Sequence, residues 1–286
     1  MAIGKSADSP WGIPAFYGTD DVMTVHTTGL TSVQDNDFAQ AWSGDRAPEA
    51  PQTAWGMDTS NVAAINDTIG IAYAWEIWRG AADGSHVDRG NAIAAVTLGP
   101  GKPIATRVGP LLSGPSAVQL GLLAILRDGD HVYSYSMGGP TGSVVGRVRA
   151  ADNAFAASNY EFLSSADYTA WHAPGAIPAP ETTEYGMRTE HPGGKFGCNV
   201  YGSVFYSNYL RKYVMICTIY MSFTNMHVAE KPWGPWSAVY GLLSGWGQGY
   251  GSHAHPENSP DGSHKEVYFS QGPNGPFTMF KVTFDF

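Results

Sequence analysis

Between Asn199 and Leu243 the chain writes out one unit that limits what the rest can fold into. Tyr201-Gly-Ser-Val-Phe-Tyr-Ser207 and Tyr213-Val-Met-Ile-Cys-Thr-Ile-Tyr220 are rich in β-branched and aromatic residues. The polar break Asn208-Tyr-Leu-Arg-Lys212 between them predicts an antiparallel hairpin. A third run, Asn225-Met-His-Val-Ala229, follows, and then the corner Lys231-Pro-Trp-Gly-Pro-Trp-Ser237. Three or four antiparallel strands ending on such a corner make one blade of a β-propeller. The chain should therefore repeat it.

Three more hairpins are written in the same way. Ser60-Asn-Val-Ala-Ala-Ile65 leads through Asn66-Asp-Thr68 to Ile71-Ala-Tyr-Ala-Trp-Glu-Ile-Trp78. Leu120-Gly-Leu-Leu-Ala-Ile-Leu126 turns at Arg127-Asp-Gly-Asp130 and returns as His131-Val-Tyr-Ser-Tyr-Ser136, with an Asp-Gly hairpin signal. His255-Pro256 leads through Ser259-Pro-Asp-Gly-Ser263 to Glu266-Val-Tyr-Phe-Ser270. Third strands are expected over residues 92–98, 143–149, 225–229 and 277–284, and outer edges over 109–112, 160–163 and 236–240. The copies recur at roughly 50 to 80 residues, as blades with variable loops do. Residues 22–28 read as part of a fifth blade, and ring closure by the N-terminal strand with the final one is expected. The predicted fold is all-β, a five-bladed β-propeller with the first blade incomplete, spanning residues 1–286 as one domain.

Composition narrows the function. Only 14% of residues are charged, the net charge is −9, and no basic cluster interrupts that balance. Nucleic acid and anionic membrane are excluded as partners on this reading. No apolar run reaches the length of a membrane helix, and Met1-Ala-Ile-Gly-Lys-Ser-Ala-Asp8 has no apolar core of a signal peptide. The 35 glycines and 19 prolines are spread along the chain, as many tight turns require. The two cysteines, Cys198 and Cys217, are expected as separate thiols. On the hairpin, Cys217 faces about residue 202, leaving Cys198 roughly 13 Å away at 3.3 Å per residue, beyond the about 7 Å that a bridge spans.

Several residues, in this order, resemble a known family: Tyr133-Ser-Tyr-Ser136, Arg147-Val148, Asn159-Tyr-Glu-Phe-Leu163, Trp171, Gly234-Pro-Trp-Ser237 and His255-Pro256. They are similar to a carbohydrate-active five-bladed propeller family, long catalogued as a domain of unknown function, whose members include secreted endo-D-arabinanases. The likeness runs from about Thr53 to the C-terminus and is nearest to fungal members. It implies a glycoside hydrolase acting on a furanosidic or related polysaccharide, secreted and monomeric. It also implies no cofactor beyond an axial metal ion near His255, and assigns no metal ligands. Members usually carry a first-blade Gly-Asp-Thr after a leader; the nearest text here is Tyr17-Gly-Thr-Asp-Asp21. Met1 is thus expected to be an internal start, or the aspartate to be lost.

In a propeller, the loops entering the innermost strands and those leaving the second strands share one face. That geometry selects Trp55, Asp58, Asn61, Gln119, Tyr201, His253 and His255 from the first set, and Glu76, Arg79 and Gln271 from the second. Aromatic, amide and imidazole groups suit stacking on and hydrogen bonding to an oligosaccharide or polysaccharide. Hydrolysis needs two carboxylic groups, and Asp58 and Glu76 are the candidates. Tyr73, Trp75 and Trp78 around Glu76 are expected to desolvate it toward general-acid use; the bland alternative pairs it with Arg79 or Arg89. Asp58 in turn has a turn-capping alternative. Asp21, Glu184 and Glu190 are weaker candidates. His253 and His255, two apart, face one side of a strand. Asn66-Asp-Thr68 is a glycosylation sequon on a turn. Two other functions are carried: a non-catalytic glycan-binding propeller, and a polysaccharide lyase with a His or Tyr base.

Overall fold

The computed structural model describes residues 5–8, 14–17, 54–79, 86–98, 103–109, 111–138, 142–180, 182, 184–190, 196–220, 222–244, 251–271 and 278–285. Residues 22–28 and Asp21 lie outside them, as do the side chains of Trp55, Asp58 and Arg79.

Nineteen strands are described, and all pairing between them is antiparallel. A hairpin of β1 (Lys5–Asp8) and β2 (Pro14–Tyr17) forms a sheet of its own. Blade one orders β3 (Ala54–Thr59), β5 (Ile69–Arg79), β6 (His86–Leu98) and β7 (Pro103–Arg107), with β4 (Ala63–Ala64) also on β5. Blade two runs β8 (Ala124–Asp128), β9 (His131–Tyr135), β10 (Val145–Arg149), β11 (Glu161–Leu163) and β12 (Trp171–His172). Blade three is β13 (Val200–Ser207), β14 (Lys212–Ile219), β15 (Phe223–Ala229) and β16 (Tyr240–Ser244). Blade four is β17 (His253–His255), β18 (Glu266–Gln271) and β19 (Thr278–Thr283). The first strands meet: β4 lies against β8, and β13 against both β8 and β17. This is a β-propeller with four blades among the described residues.

The blades stack because their middle strands are apolar on both faces, as strands buried on both sides must be. In β14, Met215 and Cys217 turn toward blade two and pack with Tyr133, Tyr135 and Trp236. Val214 and Ile216, on the opposite face, pack with Ala254, Val267 and Phe269 of blade four. A third core joins Ile71, Tyr73 and Ile93 of blade one to Leu120, Ile125, Val132 and Phe162. Trp236, fully buried, takes part in an isolated bridge to Thr189. The Tyr135 hydroxyl donates to the carbonyl of Pro232, and Tyr168 to that of Trp233 at 2.9 Å. The Gly234-Pro-Trp-Ser237 corner thereby docks blade three onto blade two.

Gly121 shows how tightly the first two blades meet. Its φ is +81°, and a Cβ there would stand 2.6 Å from Cβ and Cγ of Tyr73. Tyr73 is itself fixed, its hydroxyl 2.7 Å from that of Tyr160, which donates to Ala154 O at 3.0 Å. Gly121→Ala is expected to destabilise by about 2 kcal/mol through overpacking and the left-handed backbone. Thermal denaturation checks this, and an unchanged midpoint contradicts it.

Four sequence expectations are corrected. Cys198 and Cys217 are joined in a disulfide, their Cα atoms 5.6 Å apart. Gly202 does face Cys217, but the register shifts between Val200 and Gly202, and Tyr201 takes φ +26°. The chain before the bulge bends back instead of running straight on. The outer edge of blade one is β7, not residues 109–112, from which Leu112 only donates its N–H to Asn91 O. The fourth strand of blade three is β16, starting at Tyr240, because Trp236 is taken into the core. The innermost strand of blade one starts at Ala54 and breaks at Ser60, whose hydroxyl accepts from Tyr73 N at 3.0 Å. The two-residue turn Gly129–Asp130 and the break at 208–211 lie where expected.

Candidate functional site

A belt of backbone and side-chain hydrogen bonds crosses from blade two to blade four where the inner strands begin. Met137 N–H donates to Gln119 O at 3.3 Å, and Gly138 N–H to Asn199 O at 2.9 Å. Asn199 Oδ1 accepts from Tyr220 N at 3.0 Å. Ser252 N–H donates to Thr218 Oγ1 at 3.3 Å, and the hydroxyls of Ser252 and Thr224 lie 2.9 Å apart. Gln271 Nε2 then donates to Thr224 Oγ1 at 3.0 Å. Segments entering the inner strands and segments leaving the second strands therefore share one face. Gln119, Tyr201, His253 and Gln271 all lie along it. Ser252, Thr218 and Thr224 are buried there too.

The histidines sit at the junction of β13 and β17. Ser203 Oγ accepts from Ala254 N–H at 3.0 Å and lies 3.0 Å from His253 Nδ1. Burial pushes its pKa down to about 4, with the charge of neighbouring His255 acting the same way. Its ring stands 5.4 Å from that of His255. His255 bonds through Nε2 to Ser270 Oγ at 2.8 Å and through Nδ1 to Glu257 Oε1 at 3.2 Å. Both nitrogens of His255 thus already have protein partners.

Blade one supplies the carboxylate positions. Glu76 is fully buried, with Arg107 Nη1 3.0 Å from Oε2. The sequence suggested Arg79 or Arg89 as partner; the fold also brings Arg107 to it from the edge strand. An adjacent guanidinium favours the ionised carboxylate, which suits a fixed charge better than a proton donor. Asp58 is registered against Trp75, and Met57 against Glu76. Directly opposed residues share a face and successive residues alternate, so positions 58 and 76 lie on opposite faces of the blade. Trp55 is registered against Trp78, and Arg79 against Ala54 and His86. Asn61, half-buried, lies in the break between β3 and β4.

The weaker candidates fall outside this belt. Glu184 is exposed and bonded to His172 at 3.0 Å, and Glu190 is exposed. Asn66 Oδ1 accepts from the N–H groups of Thr68 and Ile69, closing the turn that holds the sequon. Ser203, Thr218, Ser252 and Arg107 escaped the sequence reading. The first three carry one faint signal, a lone hydroxyl within or beside a strand that is otherwise apolar; Arg107 carries none.

No family model matches the sequence, and no curated protein does. Solved structures do match. The fold is shared with a "putative hydrolase" from Bacteroides ovatus at TM-score 0.53 and 15% identity, over 76% of this chain and 54% of that one. The chain thus spans about half the length of that structure. A thermostable family-43 glycoside hydrolase matches at TM-score 0.44 and 15% identity, over 88% and 78% of the two chains. A family-43 enzyme from Xanthomonas citri in complex with xylose matches at TM-score 0.43 and 12% identity, over 99% and 88%. At such identities the likeness speaks for the fold alone. Among the described residues, no helix is long and apolar enough to cross a membrane.

Proposed function

We propose that this chain is a carbohydrate-active propeller, a glycoside hydrolase acting on a furanosidic or related polysaccharide. The observation that carries the reading is the belt from Gln119 to Gln271, uncharged donors and acceptors drawn from three blades onto one face. Sugar hydroxyls exchange hydrogen bonds with groups of this kind without requiring a charged partner. The family resemblance and the hydrolase description of the Bacteroides ovatus protein support the same class. In this reading the ring counts five blades in one domain, and the protein is monomeric and secreted, as its disulfide favours. Asp58 serves as a catalytic carboxylate, Glu76 as a charge held by Arg107, and an axial ion sits near His255. Trp55, Asn61, Arg79, Gln119, Tyr201, His253, His255 and Gln271 contact the saccharide.

One observation favours a second reading, glycan binding without turnover. Positions 58 and 76 do not face each other, and Glu76 is tied up by Arg107, so the paired carboxylates of hydrolysis are not assembled from these two. Reducing-sugar release and calorimetric binding on arabinan, arabinoxylan and galactan separate the readings. Release that falls at least roughly 1,000-fold in Asp58→Asn, with binding retained, supports hydrolysis. Binding without release selects the second reading, and neither binding nor release overturns both.

A further inference from the structure

Cys198, Cys217 and His227 converge in the core between blades two and three, directly beneath the belt residues Asn199 and Thr218 that follow the two cysteines in sequence. One ligand atom from each lies within 4.8 Å of the other two, and all three residues are buried. Met215 stands directly across from His227 in the ladder and belongs to the same buried cluster as both cysteines. His227 is held as metal-binding histidines are. Its Nδ1 lies 2.8 Å from the carbonyl of Ser237, which can only accept, so Nδ1 carries the proton and Nε2 keeps its lone pair. Phe196 stacks on the ring at 4.7 Å and fixes its plane. Nε2 receives only a 3.2 Å bond from Gly197 N–H, next in sequence to Cys198.

We propose that Cys198, Cys217 and His227 form a binding site for one thiophilic d10 cation, Zn2+ or Cu+, which opens when the disulfide is reduced. The disulfide and the metal site are alternative states of the same sulfur atoms. A dithiol delivers two electrons and two protons to the two Sγ atoms and leaves as its own cyclic disulfide. The cation then displaces both thiol protons, forms two metal–sulfur bonds, and takes the Nε2 lone pair in place of the Gly197 N–H. Two ligands on a tetrahedral zinc lie about 3.5–4 Å apart, given bonds of about 2.0–2.3 Å, so once reduced the two sulfur atoms must move apart from bonding distance while staying within reach of His227. Thiolate and imidazole, with the Met215 thioether offered for a fourth position, are a soft donor set and exclude magnesium or calcium. While the disulfide is closed the site holds no cation.

The test uses the full chain, reduced with a dithiol, freed of it by gel filtration without oxygen, and titrated with Co2+. One equivalent is expected to bind, giving a thiolate-to-cobalt charge-transfer band and the ligand-field bands of a tetrahedral ion, both displaced by Zn2+. Cys198→Ser and Cys217→Ser should each weaken the charge-transfer band. His227→Gln should keep it but bind at least roughly tenfold more weakly. The oxidised chain should bind none. Three results overturn the proposal: no band from folded, reduced protein with two titratable thiols, a band that survives intact in both serine variants, or unfolding on reduction that Zn2+ does not prevent.

Discussion

Arg107→Met is expected to lower the unfolding free energy by about 3–5 kcal/mol, the usual cost of removing one partner of a buried ion pair. Arg107 and Glu76 expose only 3% and 1% of their side chains, so water cannot take over the carboxylate when the guanidinium goes. Glu76→Gln breaks the pair from the other side and should cost a similar amount. The double variant Glu76→Gln, Arg107→Met removes both charges of the pair and should regain part of the loss, because well-packed neutral groups often do as well as a buried pair. Urea denaturation of the four proteins measures the coupling directly. A single Arg107→Met variant within about 0.5 kcal/mol of the parent, the range of an exposed surface change, would show that Glu76 has another way to hold its charge.

That pair marks the boundary of what the sequence made legible. The hairpins were readable because their signals are local: apolar runs of strand length, a break at 208–211, an Asp-Gly at the blade-two turn. Even the register of β13 on β14 followed from the turn, with Gly202 opposite Cys217 as expected. Extrapolation failed two residues further on, since the bulge at Val200–Gly202 and the +26° φ of Tyr201 belong to tertiary packing, not to a residue pattern. That error separated two cysteines that the structure joins. Edge strands were misread for a related reason. A short strand paired on one side carries little periodicity, so β7 and β16 were placed too late and too early respectively. Propeller geometry selects Gln119, Tyr201, His253 and Gln271 from chain position alone, whereas Arg107 reaches Glu76 across blade one from a strand 31 residues further on in number, which no local pattern signals.

Acid should weaken this fold through His253. Its pKa in the folded protein is depressed to about 4 from the ordinary histidine value of about 6.5, so the unfolded chain binds more protons between those values. Stability from this group is complete above about pH 6.5 and is lost as pH falls toward 4, a difference of about 3 kcal/mol. His227, also lowered by burial, acts in the same sense. The structure shows why protonation is resisted: burial denies the charged ring its hydration, and the ring of His255 stands 5.4 Å away. His253→Asn keeps a hydrogen-bonding partner for Ser203 while removing the titration. Urea unfolding at pH 7, 5.5 and 4.5 should give a slope between the last two values that is clearly shallower in the variant than in the parent. Equal slopes would mean that His253 reaches solvent in the folded state and becomes a cation in mild acid.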